Sequence, residues 1–189
     1  MTTTSRLQDL TKGAVFVALL IVFAMIPGIP LGFLPVPIVL QNLAVMLVVL
    51  ILGPKRGTMV MTVFLLLAAV GLPVLSGGRG GLAVLTGPTA GYIWAWLLFP
   101  AVYWGLNRLV FGHRNLAKPA WWQSVILLII VDLILDFGMG AAWLHFNQGL
   151  GFWSAYWANM AFVPGDLLKI ALAVFFRSGS LAGESALRF

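Results

Sequence analysis

The chain has 189 residues, of which 61% are hydrophobic and only 8% are charged, whereas a soluble domain carries about 25% charged residues. These proportions indicate an integral membrane protein. The absence of cysteine excludes disulfides and thiolate metal sites. The formal charge of +6 comes from basic residues at predicted helix ends, so membrane topology explains it better than nucleic acid does.

The apolar runs predict an all-α membrane protein with a single domain over residues 1–189, built as a six-helix bundle. Its N-terminus lacks a signal-peptide arrangement, because the first apolar run leads into proline-rich sequence instead of a cleavage site. Within that run, Ala14 and Ala18 form a small-xxx-small pair that suits close approach of another helix, in a partner or within the bundle. The predicted spans cover residues 13–27, 38–52, 58–72, 90–109, 121–147 and 155–177.

Two loops between the spans are unusual. The segment Pro27–Pro37 has four prolines in eleven residues, which excludes a regular helix, yet it is almost wholly apolar. We expect it to pack over something or to lie in the membrane interface. The segment Pro73–Thr89 is glycine-rich and predicted to be irregular, so its backbone either approaches a ligand closely or serves as a flexible linker. It lacks the Lys-Ser/Thr sequence of a phosphate-binding loop.

The fourth and fifth spans carry aromatic and acidic residues at distinct places. Tyr92, Trp94 and Trp96 stand near the outer end of the fourth span, where aromatic belts form. The fifth contains Asp132 and Asp136, four residues apart on one helix face, and one of the two is expected to serve packing or to be protonated. The two histidines, His113 and His145, are too far apart in sequence for a metal pair, so no metal site is expected.

The sixth span contains a carboxylate and an ammonium three residues apart, Asp166 and Lys169, within an otherwise apolar run. At the centre of a membrane such a pair costs about 5 to 7 kcal/mol before any mutual pairing. Two interpretations remain open. The pair neutralises itself on one helix face, or it forms a polar ligand site in which Pro164–Gly165 frees backbone groups and Asn159 assists.

The basic residues fix the expected orientation. With six spans both termini share one side, and nine basic residues fall on that side, against Arg79 alone on the other. The positive-inside rule therefore predicts cytoplasmic termini and an external position for both unusual loops, above the buried pair. The nine residues are Arg6, Lys12, Lys55, Arg56, Arg108, Arg114, Lys118, Arg177 and Arg188.

Five motifs in a fixed order resemble the BioY family over most of the chain. They are Pro27-Gly-Ile-Pro30, Phe33-Leu-Pro-Val-Pro37 followed by Gln41, Gly53-Pro-Lys-Arg-Gly57, the run Gly77–Tyr92, and Pro164-Gly-Asp-Leu-Leu-Lys169. The resemblance implies a biotin-binding S component of an energy-coupling factor (ECF) transporter in the bacterial cytoplasmic membrane. Such a protein is not an enzyme, has no cofactor besides its transported biotin, and works with a transmembrane T component and two ABC-type ATPases.

The resemblance also implies roles for individual residues. Asp166 and Lys169 would contact the vitamin, and Ala14 and Ala18 would face the T component. Chemically, Asp166 can accept from the ureido group of biotin, while Lys169 or Arg79 can meet an oxygen or the carboxylate. Supporting hydrogen bonds are expected from Gln41, Tyr92 and Asn159. The first loop would act as a lid through Pro30, Phe33, Leu34 and Pro35.

Other functions compete with this one. The ligand could be another small vitamin. An intramembrane aspartyl protease would use Asp136 and Asp166 as a proton-sharing pair, although Lys169 would keep Asp166 ionised. An ion-coupled carrier working alone is disfavoured, because the halves show no internal similarity and the chain has little room for inverted repeats.

Overall fold

The computed structural model describes residues 3–112 and 119–186, with side chains placed for residues 7–112 and 119–178. Regular structure in this part of the chain is helical apart from two isolated β-bridges, which confirms the predicted all-α class. A π-helical turn, Asp132–Asp136, joins α5 to α6, and a 3-10 turn, Asn159–Phe162, joins α7 to α8. The helices are α1 (Thr3–Ala24), α2 (Gln41–Ala69), α3 (Leu82–Thr86), α4 (Ala90–Phe111), α5 (Trp121–Val131), α6 (Phe137–Gln148), α7 (Phe152–Ala158) and α8 (Val163–Ala186).

Helix α2 consists of two helical halves that form a hairpin. Gly53 leaves helical geometry with φ +77° and ψ −174°, a conformation that favours glycine, and Pro54 follows it. A straight helix of this length would be about 43 Å long. Yet Gln41 at its beginning donates to the carbonyl of Val74, beyond its end, at 2.9 Å. The chain therefore reverses at Gly53. The turn predicted between the spans 38–52 and 58–72 is reduced to this one non-helical residue.

Four described helical segments are long and apolar enough to cross a membrane. The segments differ in burial. In α2, 61% of the apolar segment is buried, against 11% in α1, so α2 forms the centre of the bundle and α1 lies at its edge. Helix α4 has 22 residues and is long enough to span, but tyrosine, tryptophan and asparagine lower its mean hydropathy. The four segments are Leu7–Ala24, Gln41–Ala69, Trp121–Gln148 and Phe152–Ser178.

The helix ends in the structure differ from several predicted span boundaries, which stay predictions. Helix α1 ends at Ala24 and not at residue 27, and the second half of α2 ends at Ala69 and not at residue 72. The predicted fifth span contains the π-helical turn, and the sixth is divided into α7, the 3-10 turn and α8. The predicted irregular segment Pro73–Thr89 contains α3 and a short bridge between Leu75 and Arg79. Each difference reflects a local backbone event that hydropathy does not register.

A buried arginine fastens α8 to the beginning of α5. Arg177 is 6% exposed and donates to the hydroxyl of Ser124 and to the carbonyl of Pro119, the latter at 2.9 Å. The sequence predicted it only as a charge at a helix end. Of the other basic residues counted for orientation, Arg6, Arg114, Lys118 and Arg188 lie outside the described side chains, as does His113.

Candidate functional site

The site is built on the first turn of α8. Lys169 Nζ lies 2.8 Å from Asp166 Oδ1, and the side chains are only 9% and 6% exposed. Asp166 stands near the helix N-terminus, where the macrodipole favours a carboxylate. The structure thus brings the predicted pair together in the interior of the protein.

The Pro164–Gly165 sequence does not break the helix as predicted. Helix α8 begins at Val163, so Pro164 lies in its first turn, where a missing amide hydrogen costs little. The irregular backbone lies one turn earlier, in the 3-10 turn. Pro164 therefore starts the helix that carries the ion pair.

A cavity of about 50 Å³ adjoins this pair. This volume is well below that of small-molecule sites, which are about 300 to 1,000 Å³, so a ligand enters only if the walls move apart. Its polar wall consists of Asn42, Tyr92, Trp96, Asp136, Asp166 and Lys169. Its apolar wall consists of Val36, Pro37, Ile38, Val39, Phe137 and Phe162. The combination of an apolar enclosure and a few polar groups suits a small, partly polar organic ligand.

Tyr92 forms part of the cavity wall and is held in place from behind. Its hydroxyl donates to Asn159 Oδ1 at 2.7 Å, and Asn159 in turn donates to the carbonyl of Phe137 at 3.3 Å. A Cβ atom at Gly140 would come within 2.1 Å of the Tyr92 ring, so only glycine leaves room for it. Asn159 is fully buried and does not line the cavity. We therefore assign it to positioning Tyr92.

Gln41 has a structural role. Its Nε2 donates to the carbonyls of Leu20 and Val74, at 3.0 and 2.9 Å, and its Oε1 accepts from the amide of Ser76 at 3.1 Å. Both donor hydrogens are used inside the protein. These bonds fix the walls of a neighbouring cleft that Gln41 itself lines, and its role as a ligand-bonding group stays a prediction.

That neighbouring cleft measures about 40 Å³ and shares Tyr92 and Trp96 with the cavity. Arg79 lines it, is exposed, and donates from Nε to the carbonyl of Ser76 at 2.9 Å. The structure therefore places Arg79 beside the second cleft and outside the lining of the cavity itself. Its position suits the end of an elongated ligand more than the head.

The proline-rich loop covers the cavity. Ile29 and Ile38 pair through two backbone hydrogen bonds of 2.8 and 2.9 Å, which gives the loop a hairpin form. Leu34 and Val36 are buried against Tyr92, Phe137 and Phe162. Of the four predicted lid residues, Leu34 points inward, whereas Pro30, Phe33 and Pro35 are exposed.

The cavity lining contains three residues that the sequence analysis did not predict as biotin contacts. They are Asn42, Asp136, which was considered only for the protease alternative, and Trp96, which was predicted to belong to an aromatic belt. Tyr92, predicted both for that belt and as a ligand hydrogen-bonder, is buried. A signal was available for Trp96, because it stands one helical turn after Tyr92 and so shares its face.

The two acidic residues of the π-helical turn lie close to the ion pair. Asp132 and Asp136 are 3% and 5% exposed, and both interact electrostatically with Asp166 and Lys169. The side chain of Asn42 faces the carboxylates of Asp132 and Asp166. Among the residues that the structure describes, no group of three His, Cys, Asp or Glu side chains is placed to hold a metal ion. The cluster is thus suited to hydrogen bonding.

A second surface lies along α1. Ala14 and Ala18 are exposed and line an apolar groove of about 630 Å³ between α1 and the second half of α2. The ion pair between Arg56 and Asp9, with 2.6 Å between Nη2 and Oδ2, stands at one end of the groove. The structure therefore leaves the predicted alanine face open.

Comparison with known proteins agrees with these features. The family model described as the BioY family matches residues 1–182. The chain belongs to the BioY family. This confirms the resemblance predicted from the five motifs, which extends over nearly the whole sequence.

Individual BioY proteins match over similar lengths. The biotin transporter BioY of Lactococcus lactis subsp. cremoris is 38% identical over 175 residues, which cover 92% of this chain and 90% of that protein. The biotin transporter BioY of Rhizobium etli is 36% identical over 176 residues, covering 93% and 94%. Among solved structures, the S-component for biotin from an ECF-type ABC transporter superposes with a TM-score of 0.86 at 37% identity, covering 94% of this chain and 92% of that one.

Proposed function

We propose that this protein is the substrate-binding S component of an ECF transporter and that it captures biotin. The observation that carries the proposal is the buried pair of Asp166 and Lys169 on the wall of a small cavity under the proline-rich loop. This pair lies in a chain that shares its fold and 37% of its sequence with an S-component for biotin. Membership in a family of named transporters removes support for the protease alternative.

The proposed topology has six membrane spans and cytoplasmic termini. Because α2 reverses at Gly53, it supplies two spans, and α1, α4, α5 with α6, and α7 with α8 supply the others. An even number of crossings puts both termini on one side, and the excess of basic residues favours the cytoplasm. The cavity and its covering loop then face the outside of the bacterial cytoplasmic membrane.

The ligand chemistry fits the cavity. Biotin has a ureido ring with two N–H donors and one carbonyl, an apolar thioether bicycle, and a carboxylate at the end of its tail. Asp166 accepts from one ureido N–H, Lys169 donates to an oxygen, and Arg79 is available to the carboxylate beyond the cavity. The apolar residues Val36, Phe137 and Phe162 enclose the bicycle. Leu34 and its neighbours Pro30, Phe33 and Pro35 close the external side as a lid.

Transport requires partners, because the sequence contains no ATP-binding motif. We propose a transmembrane T component and two cytoplasmic ABC-type ATPases. The exposed face of Ala14 and Ala18 is the proposed contact with the T component, since small side chains let helices approach closely in lipid. Lipid occupies the rest of the outer surface.

The test is to identify the small molecule that copurifies with the detergent-solubilised protein and to measure its affinity by calorimetry after removal. Biotin is the expected molecule. A different vitamin in the preparation, together with no heat of binding for biotin, would support the alternative of an S component with another substrate. Absence of binding for a panel of vitamins would refute the proposal as a whole.

A further inference from the structure

Three polar atoms on the cavity wall have no hydrogen-bond partner. They are the donor Trp96 Nε1 and the acceptors Asn42 Oδ1 and Asp136 Oδ1, and each of these side chains is 5% exposed and lines the cavity. Leaving a buried polar atom unsatisfied costs about 1 to 3 kcal/mol. Native proteins therefore rarely keep such atoms unpaired, and three at one cavity indicate that a bound molecule completes them.

The two side chains come from different helical segments. Trp96 stands on α4, one turn after Tyr92, and Asp136 ends the π-helical turn between α5 and α6. A π-helical turn contains an extra residue, and it changes the direction of the side chains that follow. Asp136 thereby joins the cavity lining, whereas Asp132, four residues earlier, does not. Asn42 faces the carboxylates of Asp132 and Asp166, and it also lines the cavity.

We propose that Asp136 and Trp96 determine the specificity of the site for a cyclic urea. Asp136 accepts the second ureido N–H, the first being accepted by Asp166, and Trp96 Nε1 donates to the ureido carbonyl. Asp166, Asp136 and Trp96 then present two acceptors and one donor to a group that has two donors and one acceptor. This inference rests on the proposed function and adds the residues that recognise the head of the ligand.

The consequence is strong discrimination against molecules that lack the urea. A site built to hydrogen-bond a substrate rejects an analogue without that group far more than an apolar pocket rejects a size change, because the polar atoms of the site remain unpaired. The sulfur of biotin, by contrast, meets only apolar surface in this arrangement. Desthiobiotin, which keeps the ureido ring and lacks the sulfur, should therefore bind nearly as well as biotin.

The experiment measures affinities of the purified full-length protein for three probes, biotin, desthiobiotin and 2-thiobiotin, in which sulfur replaces the ureido oxygen. Sulfur is a weak acceptor, so wild-type protein should bind 2-thiobiotin about tenfold more weakly than biotin. Trp96→Phe removes only the N–H donor and should weaken biotin about tenfold while leaving the affinity for 2-thiobiotin unchanged. Trp94→Phe is the matched control, because Trp94 Nε1 donates to the carbonyl of Leu85 and does not line the cavity.

The role of Asp136 is tested by a matched pair of variants. Asp136→Asn should weaken biotin about tenfold or more, whereas Asp132→Asn removes the same kind of buried carboxylate without touching the cavity lining and should have a smaller effect. Thermal unfolding of each variant identifies any that fails to fold, and the comparison of the three probes on wild-type protein needs no variant.

The outcomes separate the two proposals. Wild-type protein that binds biotin, but binds 2-thiobiotin equally well or is unaffected by Trp96→Phe and Asp136→Asn, would overturn the assignment of these residues and leave the proposed function standing. Equal losses in Asp136→Asn and Asp132→Asn would likewise overturn it, since charge alone would explain both. Wild-type protein that does not bind biotin would refute the proposed function, and the assignment would fall with it.

Discussion

Replacing Lys169 by methionine tests the central pair most directly. The substitution keeps the length of the side chain and removes the ammonium that lies 2.8 Å from Asp166 Oδ1. Asp166 is then buried with no cation beside it, and breaking a buried pair in this way costs the folded protein about 3 to 5 kcal/mol. Binding also loses a charged donor, so we expect the affinity for biotin to fall by about 2 kcal/mol, or roughly thirtyfold.

A double variant separates the stability effect from the binding effect. Lys169→Met combined with Asp166→Asn removes both charges, so most of the lost stability should return. If both residues contact the ligand, binding stays weak in the double variant. If the pair only holds the helix, binding recovers together with stability.

Calorimetry in detergent gives the affinity, and thermal unfolding gives the stability of the same preparations. The reasoning is refuted if Lys169→Met binds biotin as tightly as the wild type. It is also refuted if the double variant regains wild-type affinity, because the pair would then be structural and the ligand would be held by other residues.

Three further predictions concern other parts of the molecule. Ala18→Trp should abolish biotin uptake by cells and spare binding by the purified protein, because it fills the groove that the T component is proposed to occupy, whereas Val22→Trp, outside that groove, should preserve both. Normal uptake by Ala18→Trp would show that the face is ordinary surface. A spin label at Phe33, which is 64% exposed, should lose mobility when biotin binds, and equal mobility in both states would identify the loop as a fixed wall. Arg177→Met should lower the free energy of unfolding by about 2 to 3 kcal/mol, since two buried acceptors lose a charged donor, and an unchanged melting temperature would contradict this.

Composition predicted the membrane class, and the order of the motifs predicted the family. The ion pair was predicted because charged residues are costly and rare in lipid. Asp166 and Lys169 stand out in this way, and three-residue spacing on a helix is enough to bring them together. The turn at Gly53 was also predicted, since a glycine followed by proline between two apolar runs indicates a turn.

The remaining features depend on geometry that spacing does not contain. Trp96 was assigned to an aromatic belt because tryptophan near a helix end usually lies there, and only the packing of α4 against α2 and α6 turns it inward. Asp136 enters the cavity through a π-helical turn, which the sequence does not predict. Gln41 was predicted to support the ligand by hydrogen bonding, and the structure adds that its side chain bonds backbone atoms from α1 and from the loop after α2.

The three hydrogen bonds of Gln41 also connect the helix of the proposed partner surface to the loop beside the second cleft. One reaches the carbonyl of Leu20 on α1, the helix that carries the alanine face, and the other two hold Val74 and Ser76, in the loop that carries Arg79. A tilt of α1 against α2 must therefore stretch one of these bonds or displace that loop with it. Docking of a partner on the membrane-facing surface and opening of the outer cleft would then be one movement, transmitted by a single amide.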